Sequence, residues 1–399
     1  MSGKDNKGYQ RPFGMKEIRM MRNALRIKAM LMILLVIAAV ILPAGCQNDY
    51  FLTETQPSTP ATPDSASPNE ETPVAQESTE LDPMISITDY IPADPADSGE
   101  DGVVESSGYL VWNRMAFMPF FADEDTALRY ADSMNTAAEA LGADIQVYSM
   151  IIPLHAEFGL PERLKTGESE FENTPAAPYL KTAYTAMDPA VTPVNPYNML
   201  SAHCNEYIYF SSDHHWTGLG AYYAYTAFAQ TAGLPVLDLN DCEECVIEDF
   251  TGSFMKTVSS DLETDAVHYW KFPYEVTDTI TDENGGVNDY DTCYFDDIFG
   301  SGDGSYLVFI MGDQPLEVIK SSGDLTNNEK IAVIHESYGN AFIPYLTYDY
   351  SEVYSIDYRY WKGDLSDFCE ENGITNVLYL NNVLSSATYS VMDMIDALA

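Results

Sequence analysis

Lys330 to Leu398 reads KIAVIHESYGNAFIPYLTYDYSEVYSIDYRYWKGDLSDFCEENGITNVLYLNNVLSSATYSVMDMIDAL, and its rhythm decides the fold class. Three short apolar, β-branched runs, Lys330–Ile334, Glu352–Ile356 and Thr375–Leu380, have the composition of buried strands. Between and after them the spacing predicts helices over Tyr338–Thr347, Leu365–Glu371 (closed by Gly373) and Ser386–Leu398. Strands alternating with helices across short turns predict an α/β domain with a doubly wound, mostly parallel sheet. Such sheets gather reactive groups at the C-terminal ends of their strands.

The same reading extends upstream. Asp144–Pro153 (DIQVYSMIIP) predicts another buried strand and Gly108–Trp112 a further one. Asp123–Leu141 carries Ala127, Leu128, Ala131, Met134, Ala137 and Leu141 at helical spacing. Glu168–Tyr197 is Pro-rich and predicts surface loops with one helix. Glu206–Phe210 (EYIYF) predicts a strand, and Thr217–Gly233 a helix with Pro235 just beyond it. Asp261–Asp303 is acidic and irregular, and predicts an insertion or lid. The domain is expected over 85–399.

The region before it has a different character. Residues 1–46 hold eight basic and two acidic residues, and Ala29–Leu42 (AMLMILLVIAAVIL) is an uncharged run of 14. That is short for a spanning helix, which needs about 20 residues, but it suits a signal peptide with a positive leader. Leu42-Pro43-Ala44-Gly45-Cys46 is similar to a lipoprotein cleavage site, with Pro43 at a position that usually holds Leu; Cys46 would carry the lipid. Residues 47–84 are rich in Pro, Thr, Ser and Glu and predict a disordered spacer. Export, a lipid-anchored membrane attachment and an extracytoplasmic location follow as expectations.

Charge narrows the partners. The chain has 19 Lys plus Arg against 62 Asp plus Glu, and all but eight basic and two acidic residues lie beyond Cys46. A body this acidic repels nucleic acid and is soluble through its own charge. Cys242 and Cys245 form a C-x-x-C without a second pair or an adjacent His, which does not make a zinc site. Asn288-Asp289-Tyr290-Asp291 is oxygen-rich but lacks an EF-hand pattern. No metal or other cofactor is called for.

Two segments carry chemistry. Ser211-Ser212-Asp213-His214-His215-Trp216-Thr217 lies between a predicted strand and a predicted helix, and joins an imidazole to a carboxylate that can fix its tautomer. His335-Glu336-Ser337-Tyr338-Gly339 lies where a strand enters a helix, so Ser337 sits near free backbone N–H groups that can receive an oxyanion. Ser, His and Asp from two strand ends can build a triad. The residue types leave other readings open. Ser is a preferred helix N-cap. The histidines could form a satisfied polar cluster under Trp216, and Asp-His-His also suits a metal hydrolase. A non-catalytic surface module on the same fold, binding glycan or scaffolding a partner, is the main alternative to an enzyme.

Tyr207–Tyr225 (YIYFSSDHHWTGLGAYYAY) resembles the hallmark segment of the DHHW family, and His335–Leu346 (HESYGNAFIPYL) its second landmark. The similarity covers about residues 90–399. Both landmarks in turn resemble the D-x-H-W and S-Y motifs of the alginate O-acetylation proteins, members of the SGNH-like hydrolases with their three-layer α/β fold. The resemblance implies Asp213 as triad Asp, His215 as triad His and Ser337 as nucleophile, with His214 at the variable middle position. Tyr338 and Gly339 are the backbone N–H candidates for the oxyanion. It further implies an O-acetyl esterase or transferase acting on a cell-wall or secreted glycan.

Overall fold

The computed structural model describes residues 83–165, 170–302, 304–323 and 328–399. The signal peptide, Cys46 and nearly all of the spacer therefore lie outside the described residues. Asp82–Ala399 forms one unit. Among the described residues no helix is long and apolar enough to cross a membrane.

A small antiparallel sheet comes first: β1 (Val103–Val104), β2 (Leu110–Trp112) and β3 (Met115–Phe117). Helix α1 (Glu124–Leu141) follows, started by a capping box in which Asp123 Oδ1 accepts the Thr126 N–H and Thr126 Oγ1 accepts the Asp123 N–H. Such caps contribute about 1 kcal/mol. Its buried face carries Ala127, Ala131, Met134, Ala137 and Leu141 as the spacing predicts; Leu128, assigned to the same stripe, is instead exposed and Tyr130 is buried.

The central sheet has eight strands. In chain order they are β4 (Gln146–Ile152), β5 (Val191–Val194), then, after β6 (Glu243–Phe250) and β7 (Asp265–Lys271), which pair only with each other, β8 (Val276–Thr281), β9 (Val287–Tyr290), β10 (Leu316–Ser321), β11 (Lys330–His335), β12 (Glu352–Asp357) and β13 (Asn376–Asn382). Their spatial order is β5-β4-β13-β11-β12-β10-β8-β9. The first five are parallel and the last three antiparallel. The sheet is therefore mixed, which corrects the mostly parallel expectation. Two of the three antiparallel strands, β8 and β9, come from the segment read as an irregular lid, Asp261–Asp303. Short alternating runs such as Val276–Thr281 bury every second side chain, and polar residues between them masked the pattern. The parallel strands bury nearly every residue and so read as continuous apolar runs.

Three further expectations change. Glu206–Phe210 joins no sheet; it folds back on the residues after it, with a lone bridge between Tyr209 and Trp216 and a bond from Thr217 N to Ile208 O of 3.0 Å. The helix expected over Tyr338–Thr347 is one α-turn, Gly339–Phe342, that tightens into a 3-10 helix over Ile343–Tyr348; Pro344 supplies no N–H for a continuing α-ladder. The final helix, expected over Ser386–Leu398, is shorter, Tyr389–Asp396, and a separate helical turn, Val383–Ser386, precedes it. Helices α3 (Gly218–Ala232) and α4 (Leu365–Asn372) lie close to their expected spans, and the helix expected somewhere in Glu168–Tyr197 is α2 (Ala176–Ala186), although that stretch also supplies β5 and is largely buried. Register aligns His335 with Leu380 and Ile152 with Asn382, so the ends of β4, β11 and β13 share one edge.

Candidate active site

Ser337 leaves that edge two residues beyond β11. Its side chain makes no capping bond to the short helix that follows. Ser337 Oγ instead meets His215 Nε2 at 2.8 Å, across 122 positions of sequence. His215 Nδ1 lies 2.6 Å from Asp213 Oδ1. Asp213, His215 and Ser337 are each 6–7% exposed, which dries the relay and still leaves it an opening.

The loop that carries Asp213 and His215 is held at several points. Asp265, at the start of β7, accepts bonds from Ser211 N (2.8 Å), Ser212 N (2.8 Å) and Ser212 Oγ (2.5 Å). Ser212 Oγ in turn accepts the Gly252 N–H at 2.9 Å. Ser253 N donates to Asp213 Oδ2 at 2.7 Å, and His215 N to Asp213 Oδ1 at 3.0 Å. Both carboxylate oxygens thus accept N–H groups from fixed directions. Burial works against the charged carboxylate, but the two imidazoles and the Ser253 N–H outweigh it and hold Asp213 well below the usual range. Gly252 is needed because a Cβ there would lie 2.3 Å from the Asp213 Cβ.

His214 places Nδ1 2.8 Å from Ser253 Oγ, with its ring 3.9 Å from that of His215. Burial, with the neighbouring His215, lowers its pKa to about 4, so it is neutral in ordinary buffers. One ligand atom from each of Asp213, His214 and His215 falls within 4.8 Å of the others, the only such group among the described residues. Both nitrogens of His215 are already engaged, one by Asp213 and one by Ser337, so a cation here would have to replace the relay.

Trp216 ties the two motifs together. It is fully buried, and its Nε1–H donates to Tyr338 O at 3.0 Å. The Tyr338 hydroxyl returns a bond to His214 O. Tyr306, which sequence reasoning missed, stacks on the His215 ring (4.1 Å, 13°) and donates to Ser337 O at 3.0 Å. Nothing in its local sequence, GSYLV, distinguishes it from core aromatics. Asp265 was missed because it is one acidic residue among many in an acidic stretch.

The oxyanion expectation needs correction. Tyr338 N donates to Glu336 Oε2 at 3.1 Å, and Gly339 N to Glu336 O at 2.8 Å. Neither N–H is free, and the following α-turn is only four residues long. Gly339 serves packing: a Cβ there would lie 2.4 Å from His335 Nδ1. His335 is itself buried, between Glu336 O and Ser355 Oγ at 2.8 Å each, and burial lowers its pKa to about 4.

Searching among proteins of curated function gives no match. Among solved structures, a DHHW family protein from Eubacterium siraeum is 28% identical with a TM-score of 0.67, over 75% of this chain and 98% of that one. PatB1 of Bacillus cereus is 17% identical; with a sulfonyl adduct its TM-score is 0.61, over 72% of this chain and 98% of that one, and a second PatB1 structure gives 0.59. At that identity the likeness to PatB1 is one of fold. The profile described as DHHW protein matches residues 93–356, which contain Asp213, His215 and Ser337, and the chain therefore belongs to the DHHW family.

Proposed function

We propose that this chain is an exported, surface-tethered serine O-acyl esterase or transferase, with acetyl as the acyl group and a cell-wall or secreted glycan as its substrate. The observation that carries the reading is the continuous relay Asp213–His215–Ser337, with links of 2.6 and 2.8 Å. Asp213 accepts a hydrogen bond from the His215 Nδ1–H, which fixes that tautomer and leaves Nε2 as the acceptor facing Ser337. Ser337 Oγ attacks the ester carbonyl as His215 Nε2 takes its proton. The imidazolium then protonates the departing alkoxide and an acyl-serine remains. Water or a sugar hydroxyl attacks that ester and gives its proton to His215, which returns a proton to Ser337 Oγ as the acyl group leaves. PatB1 carries a sulfonyl adduct, and electrophilic sulfonyl reagents report activated nucleophiles of this kind; Ser337 is the residue such a reagent would modify here. Lipidation of Cys46 and the spacer over residues 47–84 would hold the domain outside the cell, within reach of such glycans.

The test is hydrolysis of p-nitrophenyl acetate by the full-length chain in mild detergent, beside Ser337→Ala and His215→Ala. Loss of turnover in both folded variants, indifference to chelator, and sulfonyl fluoride labelling of Ser337 are expected. A wild type that neither turns over nor labels at Ser337 would sink the proposal. Activity abolished by chelator and restored by a divalent cation would move the chemistry to the Asp213–His214–His215 group.

A further inference from the structure

Glu336 precedes the proposed nucleophile and is only 5% exposed. Its Oε1 accepts two bonds from Asn382, from N at 2.9 Å and from Nδ2 at 3.0 Å. Its Oε2 accepts the Tyr338 N–H and stands 3.4 Å from Ser337 Oγ. The carboxylate therefore bridges the ends of two parallel strands, β11 and β13, and also reaches the nucleophile. A buried charge is costly, and stitching a turn to a neighbouring strand needs only an amide or a hydroxyl. That choice of side chain asks for an explanation beyond the turn.

We infer that Glu336 is a positioning residue for the acyl chemistry, fixing the direction of Ser337 Oγ and setting a negative charge beside the imidazolium that forms on His215. The inference rests on the acyl-transfer reading. Ser337 Oγ has a single proton and two acceptors, His215 Nε2 at 2.8 Å and Glu336 Oε2 at 3.4 Å. The shorter, nitrogen-directed bond takes it, and the carboxylate closes off the competing rotamer. When the proton moves to His215, the new positive charge lies between Asp213 on its Nδ1 side and Glu336 beyond Ser337. Both carboxylates favour it. Asp213 alone holds the tautomer; Glu336 acts on charge and aim.

The groups facing this pair are few. Arg359, His215, Tyr306, Tyr338 and Tyr358 act on or feel Glu336. Arg359 is the permanent cation among them, and it is bound to Asp313 at 2.9 Å and Asp357 at 2.5 Å. Around His215 stand Asp213, His214, Asp313 and Tyr306. Burial raises the pKa of Glu336 above its ordinary value, against the opposing pull of Asn382 and Arg359. Three N–H donors on its two oxygens favour the ionised form.

The experiment compares wild type, Glu336→Gln, Glu336→Asp and Asn382→Ala as full-length chains whose folding is checked by thermal melting. Two readouts are taken: the pH profile of kcat and KM on p-nitrophenyl acetate, and the titration of the His215 ring by NMR. Glu336→Gln should lower the His215 midpoint by about one pH unit, move the acidic limb of kcat with it, and cut kcat about tenfold with KM little changed. Glu336→Asp, which keeps the charge, should restore the midpoint. Asn382→Ala should lower kcat and leave the midpoint in place. A midpoint that stays put in Glu336→Gln overturns the inference, whether kcat falls or not, since a turn-stitching role alone does not move it. If the wild type proves inactive, the acyl reading fails by itself, and the ring titration still decides the charge role of Glu336.

Discussion

Asp213→Asn is the substitution that tests the relay most directly. The change is isosteric, but both oxygens of Asp213 face N–H donors: Oδ1 faces His215 Nδ1 and His215 N, and Oδ2 faces Ser253 N. An amide must turn its NH2 towards one of these sets. Facing Ser253 N, it sets two donors against each other. Facing His215 Nδ1, it forces the proton onto Nε2, so the base points a hydrogen at Ser337 Oγ and can no longer accept one. The second arrangement disarms the relay without moving it. In a serine triad of this geometry that costs about 10⁴-fold in kcat, or about 5.5 kcal/mol of barrier. The assay is kcat/KM on p-nitrophenyl acetate, beside thermal melts from pH 3 to 8. Because the folded pKa of Asp213 lies below its unfolded value, its charge contributes stability that is complete above about pH 4 and is withdrawn as the pH falls further. The variant should therefore lose about 2 kcal/mol at pH 7, and the gap to the wild type should narrow as the pH falls from about 4 to about 3. Activity within tenfold of wild type in a folded Asp213→Asn protein would refute the relay.

Two other predictions come from the frame around the site. Gly252→Ala pushes a methyl group to within 2.5 Å of Ser212 O as well as onto Asp213 Cβ; it should cost about 2–3 kcal/mol in denaturant melts and depress kcat by shifting Asp213, and an unchanged melt would show that the loop yields. Asp278 and Glu317 lie buried on paired strands β8 and β10, with no partner for any of their four oxygens except each other, so one shared proton satisfies both. Burial raises Asp278 to about 7 and lifts Glu317 well above its ordinary value. An acid with a raised folded pKa stabilises the fold below its unfolded pKa and loses that contribution as the pH rises through the folded one. Asp278→Asn should therefore raise stability by about 2 kcal/mol at pH 8 and change it little at pH 4, and a variant that melts earlier than wild type at pH 8 would contradict the shared proton.

The legible parts of this protein are those in which chemistry repeats locally. Lys330–Ile334 and Thr375–Leu380 read as strands because a parallel strand buried on both faces has no polar positions to confuse it. Helix α3 was bounded by Thr217 and Gly233, whose side-chain oxygen and backbone freedom act on residues three or four away. The β8–β9 extension was missed because β8 buries only alternate positions and the short β9 buries none, so both look like acidic loop. Glu206–Phe210 failed the opposite way: its aromatic and aliphatic residues suit a strand, but its tyrosine hydroxyls bond to Asp265 and Pro153 O, and it pairs with no strand of a sheet.

By itself the sequence determined the α/β character, the acidic surface, the family landmarks and the short roster of groups able to do acyl chemistry. It could not decide whether Ser337 capped a helix or faced a base, because a hydroxyl suits both and the base lies 122 residues away. Tertiary structure decided that. It also turned Tyr338 N and Gly339 N towards Glu336, placed Tyr306 on the His215 ring, and put Asp265 beneath the loop. Those contacts depend on which strand ends share an edge, and strand order is set by the burial of the whole sheet, which no local pattern encodes.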